Sequence, residues 1–302
     1  MILHFVHLIK CEKTHLNIPE PQRRLVGKCS ASLLVPTWAL GIVRLINFAQ
    51  RNLYGMLPTS MVISPTHLLY PPACLLCHQR VSGTTVVCET CRQALRTLLP
   101  PVCQRCGVGV AGAYDSQVVC ARCQAFRFVF ERACAPFSYA GMVREAIHAF
   151  KYGGHDRLGL WFADAMIRTA QARLPLTTIE RVVPVPMHWL KRRVKGHNPV
   201  AFLAKTVAAG LALPYDDRAL RRTRWTTTQT RLTGAQRFRN VAGAFTAQRE
   251  RPQGGGTVLL VDDVLTSGAT AQACALALQE SGIKTFVVTA ARAPILESRA
   301  TE

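Results

Sequence analysis

The sequence predicts an α/β domain built on a central parallel sheet flanked by helices, with a small cysteine-rich module ahead of it. Three observations carry this expectation. From about residue 131 onward, short apolar runs alternate with amphipathic stretches of helical period, the pattern of strands joined by crossover helices. One run, Val258-Leu-Leu-Val261, is apolar throughout, as a strand covered on both faces must be. Eight of the twelve cysteines form four C-x-x-C pairs between residues 74 and 123.

Taken in order, residues 1–65 are an extension of scattered basic and apolar residues without period, expected to be disordered or to reflect a start placed upstream of Met56 or Met61. The apolar run Ala31–Phe48 holds Pro36, Gly41 and Arg44 and falls short of the roughly 20 residues a spanning helix needs. The N-terminus lacks a leading basic cluster and a small-residue cleavage site, so a cytoplasmic location is expected.

Residues 66–130 hold the pairs Cys74/Cys77, Cys88/Cys91, Cys103/Cys106 and Cys120/Cys123. Each C-x-x-C turn aims two sulfurs at one point, and two such turns supply the four thiolates of a closed tetrahedral Zn²⁺ site. Gaps of ten residues between the first and second pairs and thirteen between the third and fourth fit short hairpins. Sequential pairing gives one site from Cys74, Cys77, Cys88 and Cys91 and a second from Cys103, Cys106, Cys120 and Cys123; spacing alone also permits interleaved pairing. Redox dithiols are the competing reading, and in a reducing compartment metal is favoured over disulfides. Cys134 and Cys274 read as ordinary buried residues.

Residues 131–302 carry the α/β pattern. Cys134–Tyr139 reads as a strand, Val143–Tyr152 as a helix, Leu158–Arg173 as an amphipathic helix ending before Pro175, and Arg181–Pro186 as a short strand stopped by proline. Asn198-Pro199 opens a helix that runs to about Gly210, with proline at the first helical position. A closing βαβ unit spans Thr257–Ala290.

That unit holds the sharpest motif, Val258-Leu-Leu-Val-Asp262-Asp263-Val264-Leu265-Thr266-Ser267-Gly268-Ala269-Thr270. Two carboxylates end a buried strand, and a small hydroxylated turn opens a helix at the sheet edge where open α/β folds bind ligands. Backbone N–H groups of residues 265–270, the turn hydroxyls and the helix dipole make an anion cradle, with Gly268 allowing close approach. Neither a nucleoside-triphosphate phosphate loop nor a dinucleotide glycine fingerprint is present. Paired acids beside a monophosphate cradle fit a ribose whose vicinal hydroxyls donate to Asp262 and Asp263 while its 5′-phosphate sits in the turn. A bland alternative makes the two aspartates helix caps.

The motif resembles the phosphoribosyl pyrophosphate (PRPP) signature of type I phosphoribosyltransferases. Phe150-Lys151-Tyr152-Gly153-Gly154, the Val183-Pro-Val-Pro186 run with Arg192, Arg193, Lys195, Gly196 and Asn198 after it, and the Thr228–Phe245 segment narrow the likeness further. With the cysteine pairs upstream, residues 65–292 resemble the ComF family, of the ComFC and GntX type. The resemblance implies a type I phosphoribosyltransferase fold behind a double zinc ribbon, with Asp262 and Asp263 on the ribose hydroxyls and, through water, Mg²⁺. It places Val264 to Thr270 around the 5′-phosphate, and Arg192, Arg193 and Lys195 facing pyrophosphate. Gln229–Asn240 would be a closing loop that brings Arg237 and Arg239 to the diphosphate.

The implied role is binding PRPP or a related phosphoribosyl ligand and assisting single-stranded DNA uptake in natural transformation. The alternatives are an active transferase that releases pyrophosphate to an amine acceptor, and a non-catalytic PRPP sensor. Charge bears on the first of these. The chain has 37 Lys and Arg against 17 Asp and Glu, a net +20, and Lys191–Arg239 alone holds twelve cations against Asp216 and Asp217. That surplus fits a longer polyanion such as single-stranded DNA, with Trp189, Trp225 and Phe238 as stacking candidates. His188 and His197 flank the basic run and read as structural.

Overall fold

In the computed structural model the described residues are 72–82, 85–112, 117–153, 156–187, 198–224, 234–248 and 256–294. The chain divides after Ser64, and all of these belong to the Pro65–Glu302 unit. The 1–65 extension, Trp189, Trp225, His188, His197, Arg192, Arg193 and Lys195 lie outside the described residues.

Two short helices, α1 (Glu89–Ala94) and α2 (Ala121–Ala125), sit in the cysteine-rich part. Strands β1 (Arg132–Cys134) and β2 (Phe137–Ser138) follow. Next come helices α3 (Gly141–Gly153) and α4 (Asp156–Arg173), then β3 (Arg181–Pro184) and α5 (Pro199–Gly210). The chain continues through β4 (Leu220–Arg222), α6 (Gly234–Val241) and β5 (Phe245–Ala247). It closes with β6 (Thr257–Leu265), α7 (Ala269–Gln279) and β7 (Lys284–Arg292).

The main sheet is parallel throughout its order β1-β7-β6-β3, with β2 also on β7. β1 pairs with Phe286–Val288 and β2 with Ala291–Arg292, so the two are successive pieces of one edge. The single strand expected over Cys134–Tyr139 is therefore split, because Pro136 between the pieces has no N–H to give the ladder. The 181–186 strand likewise ends at Pro184. A two-stranded antiparallel ribbon, β4 with β5, was not expected; three residues per strand leave no readable alternation.

Helix signals in the sequence are met closely. Asn198 caps α5 by accepting from the Val200 N–H at 3.2 Å, and Pro199 takes the first helical position. α3 buries Val143, Ala146, Ile147 and Phe150 on one face. Gly159 of α4 lies against Phe150 and Phe202, and a Cβ there would come within 2.5 Å of the Phe150 ring. Glycine at this point lets α4 approach both rings.

Side chains of 258–261 in β6 alternate between two cores, and Leu265 at its end joins the second. Leu259 and Val261 join α3, α4 and α5 in one, whereas Val258, Leu260 and Leu265 join α7, Leu220 and Phe245 in the other. The cysteine-rich part feeds both. Cys74, Cys91 and Leu95 enter the first core, and Cys103, Cys106, Cys120, Phe128 and Phe130 enter the second. Between them the chain runs along the β2 edge, where Leu98 N–H donates to Pro136 O and Ser138 N–H to Arg96 O, each at 2.8 Å. The module thus straddles the sheet edge and covers a strand that would otherwise stand open.

Among the described residues no helix is long and apolar enough to cross a membrane. Leu260 is fully buried in the central strand, so Leu260→Ala is expected to destabilise the protein by about 2–5 kcal/mol, measured as a shift in the urea unfolding midpoint at constant slope.

Candidate metal centres and anion-binding site

The structure gathers the cysteines in sequential pairs. Cys74, Cys77, Cys88 and Cys91 form one set and Cys103, Cys106, Cys120 and Cys123 the other, with all sulfurs in a set within 4.8 Å of one another. Sulfurs about 2.3 Å from a tetrahedral Zn²⁺ stand about 3.8 Å apart. The observed Cys77–Cys88 and Cys106–Cys120 separations are 3.6 and 3.7 Å. Backbone N–H groups also aim at these sulfurs: Cys88 to Cys74, Cys91 to Cys88 and Cys120 to Cys103, all at 3.4 Å. Burial opposes ionisation of Cys74, yet N–H donors from Cys88, Cys77 and Leu76 outweigh it and bring the thiol down to about 6. Hydrogen bonds from the Cys106 and Cys123 thiols hold Cys103 well below the usual thiol range despite its burial. Both sets fit a structural zinc ion. Four protein ligands leave no open coordination position, so their contribution is to fold stability.

The expected anion site lies at the C-terminal end of β6. Asp262 and Asp263 are half-buried on the strand itself, and the N-cap of α7 is Gly268, so the aspartates are not helix caps. Neighbours on a strand face opposite ways, and these two have different company. Asp263 Oδ2 meets Lys151 Nζ at 2.7 Å, from the last turn of α3. Burial works against the Lys151 ammonium, but the Asp263 carboxylate and then Asp262 lift it above its ordinary value. Asp262 accepts the Asp263 N–H at 2.9 Å. Burial first, and then the Asp263 charge, push its carboxyl up to about 7, against the pull of that N–H, Lys151 and Arg222. The same Asp262 charge, after burial, raises the Cys274 thiol of α7.

In the turn, Val264, Thr266 and Thr270 are half-exposed, whereas Leu265, Ser267, Gly268 and Ala269 are buried. Ser267 Oγ accepts the Ala269 N–H at 3.4 Å. Gly268 adopts φ +77°, and a Cβ there would fall 2.7 Å from the Phe128 ring. Glycine is required both by its left-handed backbone and by the second cysteine module pressing on the turn.

That module grips the turn through groups that sequence reasoning missed. Arg292, at the end of β7 and 2% exposed, donates from Nη1 to the carbonyls of Leu265, Thr266 and Ala293 at 3.0, 2.7 and 2.7 Å. From its other side it donates to Cys106 O at 3.0 Å and to Cys106 Sγ at 3.5 Å. Arg122, between Cys120 and Cys123, donates to Ser267 O. Gln272 of α7 accepts the Val129 N–H at 2.8 Å. An arginine 186 residues from its cysteine partner leaves no spacing signal in sequence.

Of the cations expected at the diphosphate, Arg237 and Arg239 lie on α6, half-exposed and exposed respectively. Phe238, the stacking candidate, is half-exposed, and its ring packs 5.0 Å from that of Phe126 and 6.4 Å from that of Phe128. Arg224 donates to Asn240 O and Ala242 O at 3.0 and 2.7 Å, securing the end of α6.

Comparison with known proteins agrees with the two cysteine clusters. Residues 66–135 match the double zinc ribbon domain family. A DNA utilization protein, YhgH, of Escherichia coli K12 is 29% identical over 223 residues, covering 71% of this chain and 94% of that protein. The YhgH of Shigella flexneri is 28% identical over 229 residues, covering 73% and 96%. Competence protein F of Haemophilus influenzae is 27% identical over 213 residues, covering 67% and 88%.

Purified protein is expected to carry two zinc ions per chain and Cys106→Ser about one, read by elemental analysis; one ion in the unmodified protein would exclude one cluster. Arg292→Met strands buried carbonyls, each costing about 1–3 kcal/mol. A fall of several degrees in thermal midpoint is expected, without recovery in Arg292→Lys, whose single ammonium cannot span both sides.

Proposed function

We propose that this chain is a ComF-type protein, with a double zinc ribbon ahead of its α/β domain, that binds a phosphoribosyl ligand such as PRPP and handles single-stranded DNA during uptake. The observation that carries the ligand half is the pairing of Asp262 and Asp263 with the 264–270 turn at the C-terminal end of a central parallel strand. In this reading the domain has the type I phosphoribosyltransferase fold. The 5′-phosphate sits on the turn at the start of α7, where Thr266 and Thr270 are accessible. Ribose hydroxyls donate to the two carboxylates, and Lys151 holds Asp263 in place. Mg²⁺ with the ligand would supply charge neutralisation at the diphosphate, beside Asp262 and Asp263. Arg237 and Arg239 stand on a helix whose end Arg224 fixes, and in this reading they join Arg192, Arg193 and Lys195 on the diphosphate.

The DNA half rests on the relatives' names, a DNA utilization protein and a competence protein, together with the cation surplus between Lys191 and Arg239. Phosphate contacts from such a surface release counterions and make affinity steeply salt-dependent.

PRPP titrated by calorimetry tests the reading. Asp262→Asn with Asp263→Asn removes charged acceptors, each hydrogen bond worth about 1.5–3 kcal/mol, so affinity is expected to fall at least tenfold. Unchanged affinity would overturn the ribose assignment. Labelled oligonucleotide binding should survive that change, while Arg192→Ala with Arg193→Ala should lower the salt slope by about 0.7 per lost contact.

A pH dependence follows from Asp262. Its carboxyl keeps its proton in the folded chain to about 7, whereas an unfolded aspartate loses it near the ordinary 3.8. Stability from this group is therefore full below the ordinary value and declines as pH rises through 7. Hydroxyl recognition needs the ionised form, so PRPP affinity should rise between pH 6 and 8. Asp262→Asn should remove that part of the rise and leave the part due to phosphate titration.

A further inference from the structure

The outer flank of the sheet carries a cavity of its own. It has a volume of about 640 Å³ and is lined by α4 on one side and by the segment joining the two cysteine clusters on the other. Trp161, Ala165, Arg168 and Ala172 recur at helical spacing, so a single face of α4 supplies that wall. Arg92 of α1 and residues 97–99 line it from the cysteine-rich part, and Pro136 and Phe137 from the β2 edge. No residue of the 264–270 turn lines it, and neither Arg122 nor Arg292 does. The volume lies within the range of small-molecule sites.

The lining pairs cations with a flat apolar wall. Three arginines, Arg92, Arg168 and Arg173, face one carboxylate, Asp164. Arg168 is ion-paired to that Asp164, and Arg92 to Glu89 of its own helix. Arg173 is held differently. Its Nη2 donates to Leu98 O at 2.7 Å, and its Nη1 is buried with no acceptor. Among the described residues no carboxylate stands within ion-pair distance of it. A buried charged donor left without an acceptor is costly, so such a group is normally met by an ion or a water. A guanidinium presents its N–H groups as a planar fork that matches two oxygens of a phosphate. Beside it, the half-buried Trp161 ring is stacked on Phe137, with centroids 5.1 Å apart and planes 11° from parallel, and Leu99 is 70% exposed. Aromatic and apolar side chains next to cations are what a base and its phosphate require together.

We infer that the cavity between α4 and the segment joining the cysteine clusters binds a nucleotide unit, its phosphate on Arg173 and its base against the wall of Trp161, Leu98 and Leu99. The unit comes either from a free nucleoside 5′-monophosphate or from a single strand. This second site shares no residue with the 264–270 turn and does not rest on the phosphoribosyl reading of that turn.

The test titrates adenosine, guanosine, cytidine and uridine 5′-monophosphates, the four nucleosides and inorganic phosphate by calorimetry into the zinc-loaded full chain, with PRPP in excess to occupy the turn. At least one nucleotide is expected to bind tenfold or more tightly than its nucleoside and than phosphate. Ala172→Trp fills the cavity, and Arg168→Glu reverses a charge on the exposed side of α4. Each should weaken that nucleotide tenfold or more and leave PRPP affinity within about twofold, while elemental analysis and the thermal midpoint check that the fold is kept. Nucleotide affinity unchanged in both variants, no nucleotide binding at all, or phosphate binding as tightly as the nucleotide would overturn the inference; in the last case the buried guanidinium serves an adventitious ion only. Asp262→Asn with Asp263→Asn separates the two sites, since it should weaken PRPP and leave the nucleotide in the cavity. Should PRPP fail to bind the parent chain, the reading of the turn falls, and the two cavity variants still decide this one. A short oligodeoxyadenylate identifies the source: affinity lowered by both variants assigns the strand, and affinity that neither changes assigns the free nucleotide.

Discussion

A single buried guanidinium ties the molecule together. Arg292 ends the strand next to β6, and its donors are divided between two parts of the chain that sequence places far apart. One side closes on the carbonyls of the β6–α7 turn, the other on the backbone and sulfur of Cys106. A buried cation is costly unless it is fully bonded, and here carbonyl dipoles and a zinc-type thiolate set provide the compensation. The turn cannot shift without breaking the bonds that make the charge tolerable, and neither can the cysteine cluster. Gly268 under Phe128 and Arg122 on Ser267 O add packing and a second tether to the same junction.

The cysteine module is consequently more than an appended ribbon. Its two clusters feed opposite cores, one against α3 to α5 and the other against α7. The segment joining them pairs with the β2 edge and spans the boundary between the two faces. Zinc at each cluster would pin one face, and the sheet is held between the two. This arrangement explains why a sheet edge made of two- and three-residue strands can remain ordered: the ladder there is short, but it is covered from both sides.

Much of this was legible in the chain. C-x-x-C spacing announced the clusters because ligand geometry is local, and the sequential sets are those found. Asn198-Pro199 and Gly210 marked α5 because caps and first-turn proline act over a few residues. The run from Val258 to Thr270 marked the central strand and its turn for the same reason. What could not be read was long-range or ambiguous. The bonds of Arg292 and Arg122 to the turn and the packing of Phe238 on Phe126 left no signal, because their partners come from distant segments. Pro136 was visible, but its effect depended on which neighbour the strand would take. The aspartate pair read as one unit, whereas strand alternation gives Asp263 to Lys151 and sets Asp262 beside Arg222 and Cys274.

The central claim is that the second cysteine cluster and the anion-binding turn form one mechanical unit through Arg292. Hydrogen–deuterium exchange of the zinc-loaded chain against Cys103→Ser tests it most directly, because the substitution breaks the second cluster without altering the turn or its sequence. Amides of 264–270 are expected to lose protection together with those of 103–110, while α5 and the first cluster retain theirs. Unchanged protection across 264–270, with the second cluster opened, would contradict it.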